Sequence, residues 1–149
     1  MNNKVKLELD AIPQNEGFAR VAVAAFITPL NPTLEEITDV KTAVSEAVTN
    51  AIIHGYENQV HKIHIRCRTE EKTLYLEIED TGKGIENVEK AMEPLFTTKP
   101  ELERSGMGFS FMEAFMDQLE VISSPGKGTT VKMEKIIGKG RKPWTTQSL

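Results

Sequence analysis

The sequence predicts an α+β fold, a two-layer sandwich with a mixed, mostly antiparallel sheet and helices on one face. Three observations predict it. Short runs alternate apolar and polar residues, as in Val5, Leu7, Leu9 and again in Ile63, Ile65, Cys67. Two longer stretches before residue 55 carry apolar residues at helical spacing. The segments come as strand, two helices, hairpin, helix, hairpin rather than in strict strand–helix alternation. At 149 residues the chain fits one domain, assigned to 1–137, followed by a polar, basic tail at 138–149 expected to be disordered.

Val5, Leu7 and Leu9 form the first strand, which Pro13 ends. Asn15 is the expected N-cap of a helix over 16–28, stopped by Pro29 and Pro32, with Phe18, Val21, Ala22, Ala25 and Phe26 as its apolar residues. Thr33 with Glu36 forms a capping-box pattern that opens a second helix. Leu34, Ile37, Val40, Val44, Val48, Ala51 and Ile52 keep its spacing up to His54, and Gly55 supplies its stop. Ile63–Cys67 and Leu74–Ile78 read as an antiparallel hairpin. The Gly-, Thr-, Lys- and Pro-rich stretch 81–108 holds one short helix near 88–92; loops this long in a small domain are usually functional. A third helix over 109–116 and a hairpin of Leu119, Val121 with 129–133 complete the fold.

The balance of 39% hydrophobic and 27% charged residues is that of a globular protein with a full core. A formal net charge of −4 disfavours binding to bulk nucleic acid. A single cysteine, Cys67, excludes an internal disulfide and reads as a core-facing strand residue. With no signal-like N-terminus and no run near the ~20 apolar residues of a membrane span, the expected location is cytoplasmic.

Four clusters carry chemistry. Glu46, Asn50 and His54 lie at i, i+4, i+8 on one face of the second helix, beside its core stripe; alone, they fit a solvated face better than a site. Asp80-Thr81-Gly82-Lys83-Gly84 follows a strand and sets a fixed acceptor beside a backbone that can approach a flat ligand; alone, it is a turn. Arg104-Ser105-Gly106-Met107-Gly108 leads into a helix, where free N–H groups and a forked cation suit phosphate. Gly126-Lys127-Gly128-Thr129-Thr130 is by itself an ordinary hairpin turn.

Taken in order, the four clusters resemble the N, G1, G2 and G3 boxes of the gyrase–Hsp90–histidine kinase–MutL ATPase superfamily, over roughly residues 5–136. The run from Glu46 to Gly55, the run Pro94-Leu95-Phe96-Thr97-Thr98-Lys99 and the opening Ile12-Pro13-Gln14-Asn15-Glu16 narrow the likeness to the anti-sigma F family of spore-forming bacteria. The tail beyond about Gly138 exceeds the usual family length. The resemblance implies a Bergerat-type ATP-binding fold, a homodimer, Mg²⁺ with ATP or ADP, and two protein partners. One partner is a sporulation sigma factor; the other is an anti-anti-sigma protein phosphorylated on a serine. It implies Asn50 as the Mg²⁺ ligand, Glu46 as general base, and Asp80 as acceptor from adenine, backed by Thr129. Gly82 and Gly84 would let the backbone close over the base. Ser105, Gly106 and Gly108 would present donors to the phosphates, with Arg104 on the γ-phosphate and Thr97 and Thr98 in the lid. Arg20 matches a partner-contacting arginine of the family's first helix. His54 is left outside the site.

Three alternatives are weighed. An ATP hydrolase or switch needs a second domain to couple hydrolysis to motion, and the chain leaves no room for one. A histidine kinase fragment needs a phosphoacceptor histidine upstream of the boxes, and His54, His61 and His64 all lie at or after the first. A nucleotide-regulated sigma-binding module has no use for a base at Glu46.

Overall fold

The computed structural model describes residues 2–56, 61–93 and 108–138. Five strands, β1 (Asn3–Asp10), β2 (Lys62–Glu70), β3 (Thr73–Asp80), β4 (Gln118–Ser123) and β5 (Thr129–Ile136), make one sheet in the order β1-β2-β3-β5-β4. Every neighbouring pair is antiparallel, so the mixed component of the expected sheet is not seen among the described residues. The register aligns Leu7, Ile65, Ile78, Val131 and Val121 in one row across all five strands, and Lys6, Arg66, Glu77, Lys132 and Glu120 in the next. Because successive side chains point to opposite faces, one face of the sheet is apolar and the other charged.

The apolar face is covered by α1 (Gln14–Ile27), α2 (Leu34–Asn50) and α4 (Gly108–Phe115), with α2 in the middle, touching both others. A 3₁₀ turn (Thr28–Leu30) follows α1, and the one-turn helix α3 (Val88–Ala91) lies in the long connection after β3. The capping box is present as expected: Thr33 Oγ1 accepts from Glu36 N at 3.0 Å and Glu36 Oε1 accepts from Thr33 N at 2.9 Å. Val40, Val44, Val48, Ala51 and Ile52 are buried, as the stripe predicted, and so is Cys67, whose thiol burial pushes up to about 12.

Three local expectations need correction. Asn15 is not the N-cap of α1. Pro13 holds that position, with its fixed φ and no N–H to satisfy, while Asn15 Nδ2 donates back to Asp10 O. The core face of α1 is Ala19, Val23 and Ile27, whereas Phe18 and Val21 are exposed. Small residues let α1 approach α2 closely, where Ala43 and Ala47 are also buried. Leu34, at the first turn of α2, is 84% exposed; the buried side chains there are Glu36 and Asp39.

Candidate functional site

Helix α2 does not stop at Gly55 by a left-handed cap. Its last turn, Ala51–Gly55, widens to an i→i+5 bond, Tyr56 N to Ala51 O at 2.9 Å, and Gly55 is not among the residues of positive φ. Such π-turns recur at functional sites. Gly55 is required by proximity: a Cβ there would lie 2.9 Å from Asp80 Oδ1.

Asp80 ends β3 opposite Thr129 of β5 and is 6% exposed. Its Oδ1 accepts from Gly82 N at 2.9 Å. Burial raises its carboxyl to about 6, against the pull of the Gly82 and Thr129 backbone N–H groups. Gly82 packs on the end of the wide turn, since a Cβ would meet Gly55 O at 2.1 Å. Its missing side chain thus makes room for protein backbone, and Gly82 is not one of the residues lining the cavity described below. Gly84 (φ +77°) and Gly128 (φ +75°) meet Ser124 O and Asp80 O in the same way, with Cβ positions at 2.0 and 2.1 Å. These approaches draw the residues after β3 and the β4–β5 turn together, helped by Gly126 N to Lys83 O at 2.6 Å.

Between α2, the end of β3 and the β4–β5 turn lies a cavity of about 570 Å³, the size of an ordinary small-ligand site. Asp80, Thr129 and Gly84 line it, and so do Asn50 and Gly108. Ile78, Ile85 and Val131 give it an apolar wall. Glu46 is not itself a lining residue, but it stands beside one. A Cβ on Gly108 would sit 3.4 Å from Glu46 Oε2, 3.4 Å from Asn50 Oδ1 and 3.3 Å from Asn50 Nδ2. The start of α4 therefore closes on the two polar residues of α2, one turn apart. Sequence separates Gly108 from Asn50 by more than fifty positions, and the fold joins them.

The Asn50 side-chain carbonyl is a hard oxygen donor suited to Mg²⁺, which takes few protein ligands and completes its shell with phosphate and water. Among the described residues no group of three or more His, Cys, Asp or Glu side chains could hold a metal.

Thr97, Thr98, Arg104, Ser105 and Gly106 lie outside the described residues. Arg20 stands on α1, away from the cavity. Its Nε is 3.2 Å from Glu16 Oε2, near enough for an ion pair but out of line for a hydrogen bond, and Glu16 also accepts from Ser45 Oγ of α2 at 2.5 Å. Two residues absent from the sequence-predicted set take part. His54 lines the cavity. Ser123 knits its rim, accepting from Ile85 N, donating to Gly128 O and meeting Thr129 Oγ1, each at 2.8 Å. No motif marks Ser123, because its partners come from two other segments.

Residues 10–135 match the histidine kinase-like ATPase domain family. The chain is 59% identical over 140 residues to the anti-sigma F factor of Caldanaerobacter subterraneus subsp. tengcongensis, covering 94% of this chain and 98% of that relative. It is 54% identical over 142 residues to the anti-sigma F factor of Bacillus subtilis, covering 95% and 97%. Among solved structures, that of the RsbU and RsbW domains of a Mycobacterium tuberculosis protein superposes with a TM-score of 0.64 at 19% identity, over 91% of this chain and 32% of that one, which is a likeness of fold alone. Matched nearly end to end at such identities, the chain belongs to the anti-sigma F factor family, on a histidine kinase-like ATPase domain.

Proposed function

We propose that this protein is an anti-sigma factor and an ATP-dependent protein-serine kinase. It sequesters a sporulation sigma factor as a homodimer and phosphorylates a serine of its anti-anti-sigma partner. The observation that carries the chemistry is the meeting of Glu46, Asn50 and Gly108 beside a nucleotide-sized cavity that Asp80 also lines. The names of its close relatives support the sigma partner.

In this mechanism Asp80 accepts from the adenine amino group, with Thr129 behind it. Asn50 offers its carbonyl oxygen to Mg²⁺, which when bound offsets phosphate charge. Gly108 opens α4, an N-terminus suited to phosphate, and Ser105 and Gly106 would add backbone donors. Glu46 takes the proton from the partner serine hydroxyl. The serine oxygen forms a bond to the γ-phosphorus while the bond from that phosphorus to the β–γ bridging oxygen breaks, and ADP departs with the bond's electron pair. Arg104 steadies the moving phosphoryl group, and the lid bearing Thr97 and Thr98 excludes water.

The test is incubation with γ-labelled ATP, a sigma factor and an anti-anti-sigma protein. Label on a partner serine is expected. Free phosphate alone would make the protein a hydrolase, and neither product would make it a nucleotide-regulated binding module.

A further inference from the structure

Tyr56 has no role in the chemistry just described, yet it is 5% exposed and its hydroxyl is fully used. The hydroxyl donates to Lys62 O at 2.6 Å, accepts from Thr81 N at 2.7 Å and lies 3.2 Å from Thr81 Oγ1. The preceding residue adds a backbone bond, Lys83 N to Gly55 O at 2.9 Å. The wide turn that ends α2 thus grips Thr81 and Lys83, on either side of Gly82, immediately after Asp80. On the far side the same segment is gripped by the β4–β5 turn. Since α2 also carries Asn50, one continuous piece of backbone runs from the polar cluster at Gly108 to the segment that orients Asp80.

We propose that Tyr56 is a positioning residue that fixes the Asp80 segment against the end of α2, and so sets selectivity for a 6-aminopurine over a 6-oxopurine nucleotide. The inference rests on the adenine site proposed above. A 6-amino group donates to a carboxylate; a 6-oxo group presents a second acceptor and is repelled by it. That discrimination is sharp only if the carboxylate cannot turn aside. Replacing Tyr56 with Phe keeps the ring stacked on His61, 4.6 Å between centroids, but removes both bonds to Thr81 and the one to Lys62.

The experiment is calorimetric titration of ADP and IDP into the full chain with Mg²⁺, well below the melting temperature. Tyr56→Phe is expected to weaken ADP by about tenfold, the loss of one buried hydrogen-bonded anchor, and IDP by less, lowering the ADP/IDP ratio. A residue that served stability alone would lower the melting temperature and leave that ratio unchanged. Gly55→Ala is the second variant. It retains the tyrosine but drives a methyl group toward the Asp80 carboxylate, and it too should lower the ratio. Asp80→Asn separates the two layers of the argument. If Asp80→Asn loses discrimination while Tyr56→Phe and Gly55→Ala keep it, the positioning role is overturned. If Asp80→Asn also keeps it, the adenine site and this inference fall together.

Discussion

Asp80 is held near pH 6 by burial, above the ordinary 3.8 of an aspartate. A folded-state value above the unfolded one means that the folded protein binds more protons between about pH 4 and 6, so stability falls as pH rises through that window. Above it, the buried carboxylate costs the nucleotide-free protein about 3 kcal/mol. The stability of Asp80→Asn relative to the native chain should therefore improve between pH 4.5 and pH 7.5, as read by urea denaturation. A difference that does not change with pH would show the carboxyl to be unshifted. Ligand binding should run the other way, because the ionised form is the stronger acceptor for the proposed adenine amino group. ADP affinity is expected to weaken as pH falls below about 6, and Asp80→Asn should lose about 1–3 kcal/mol of it at pH 7.5, measured by calorimetry. Asp80 was legible in the sequence because a strand end followed by Gly-x-Gly is a local pattern. The use of Gly82 was not legible. Its neighbour is Gly55, brought there by the turn at the end of α2, and no local pattern reports a contact between residues so far apart.

Elements repeat this division between local and distant causes. Helix α2 could be read from Thr33 to its last turn, since capping box and stripe both belong to contiguous sequence. Thr33→Ala should cost about 1 kcal/mol of stability in chemical denaturation, and an unchanged midpoint would show that Glu36 alone suffices. Helix α1 could be recognised but not oriented, because it carries two overlapping sets of apolar residues and the choice between them is made by the close approach of α2. In β5 the alternation Val131, Met133, Lys135 continues inward past the point where the strand was expected to end, placing a lysine on the core face. Its Nζ donates to Phe115 O at 2.7 Å, the last residue of α4, and lies 3.8 Å from Asp39 Oδ2 of α2, with both side chains buried. Lys135 thereby joins three elements. Lys135→Met should cost about 3–5 kcal/mol, the penalty for removing one member of a buried pair, and adding Asp39→Asn should recover part of it. Additive losses in urea denaturation would show that the two side chains act separately.

Across the whole molecule, α2 is the member that links the residues proposed for docking, nucleotide binding and chemistry. Its middle position sets Ser45 against Glu16, which pairs with Arg20 of α1, and Glu46 and Asn50 against the start of α4. The order of the four boxes was legible because it is an order along the chain. That Asn50, Asp80, Gly84, Gly108 and Thr129 line one cavity follows from the register of β3 with β5 and from the packing of α4 on α2, which are properties of the assembled layers. This arrangement predicts that three tasks can be removed one at a time. Arg20→Glu should abolish capture of a sigma factor or an anti-anti-sigma protein while leaving ADP affinity and melting temperature unchanged, because Arg20 is outside the cavity and half exposed. Asn50→Ala should weaken Mg–nucleotide binding and phosphate transfer together. Glu46→Gln should retain nucleotide and partner binding, since the amide preserves size and the proposed mechanism uses the carboxylate when a serine proton is taken. General-base catalysis contributes about 10²–10⁴-fold, so single-turnover phosphorylation of the partner serine should slow by about that factor. A surface carboxylate without a role would leave both affinity and rate untouched. A wild-type rate in Glu46→Gln would require that the serine proton leave by another route, even with the nucleotide in its proposed place.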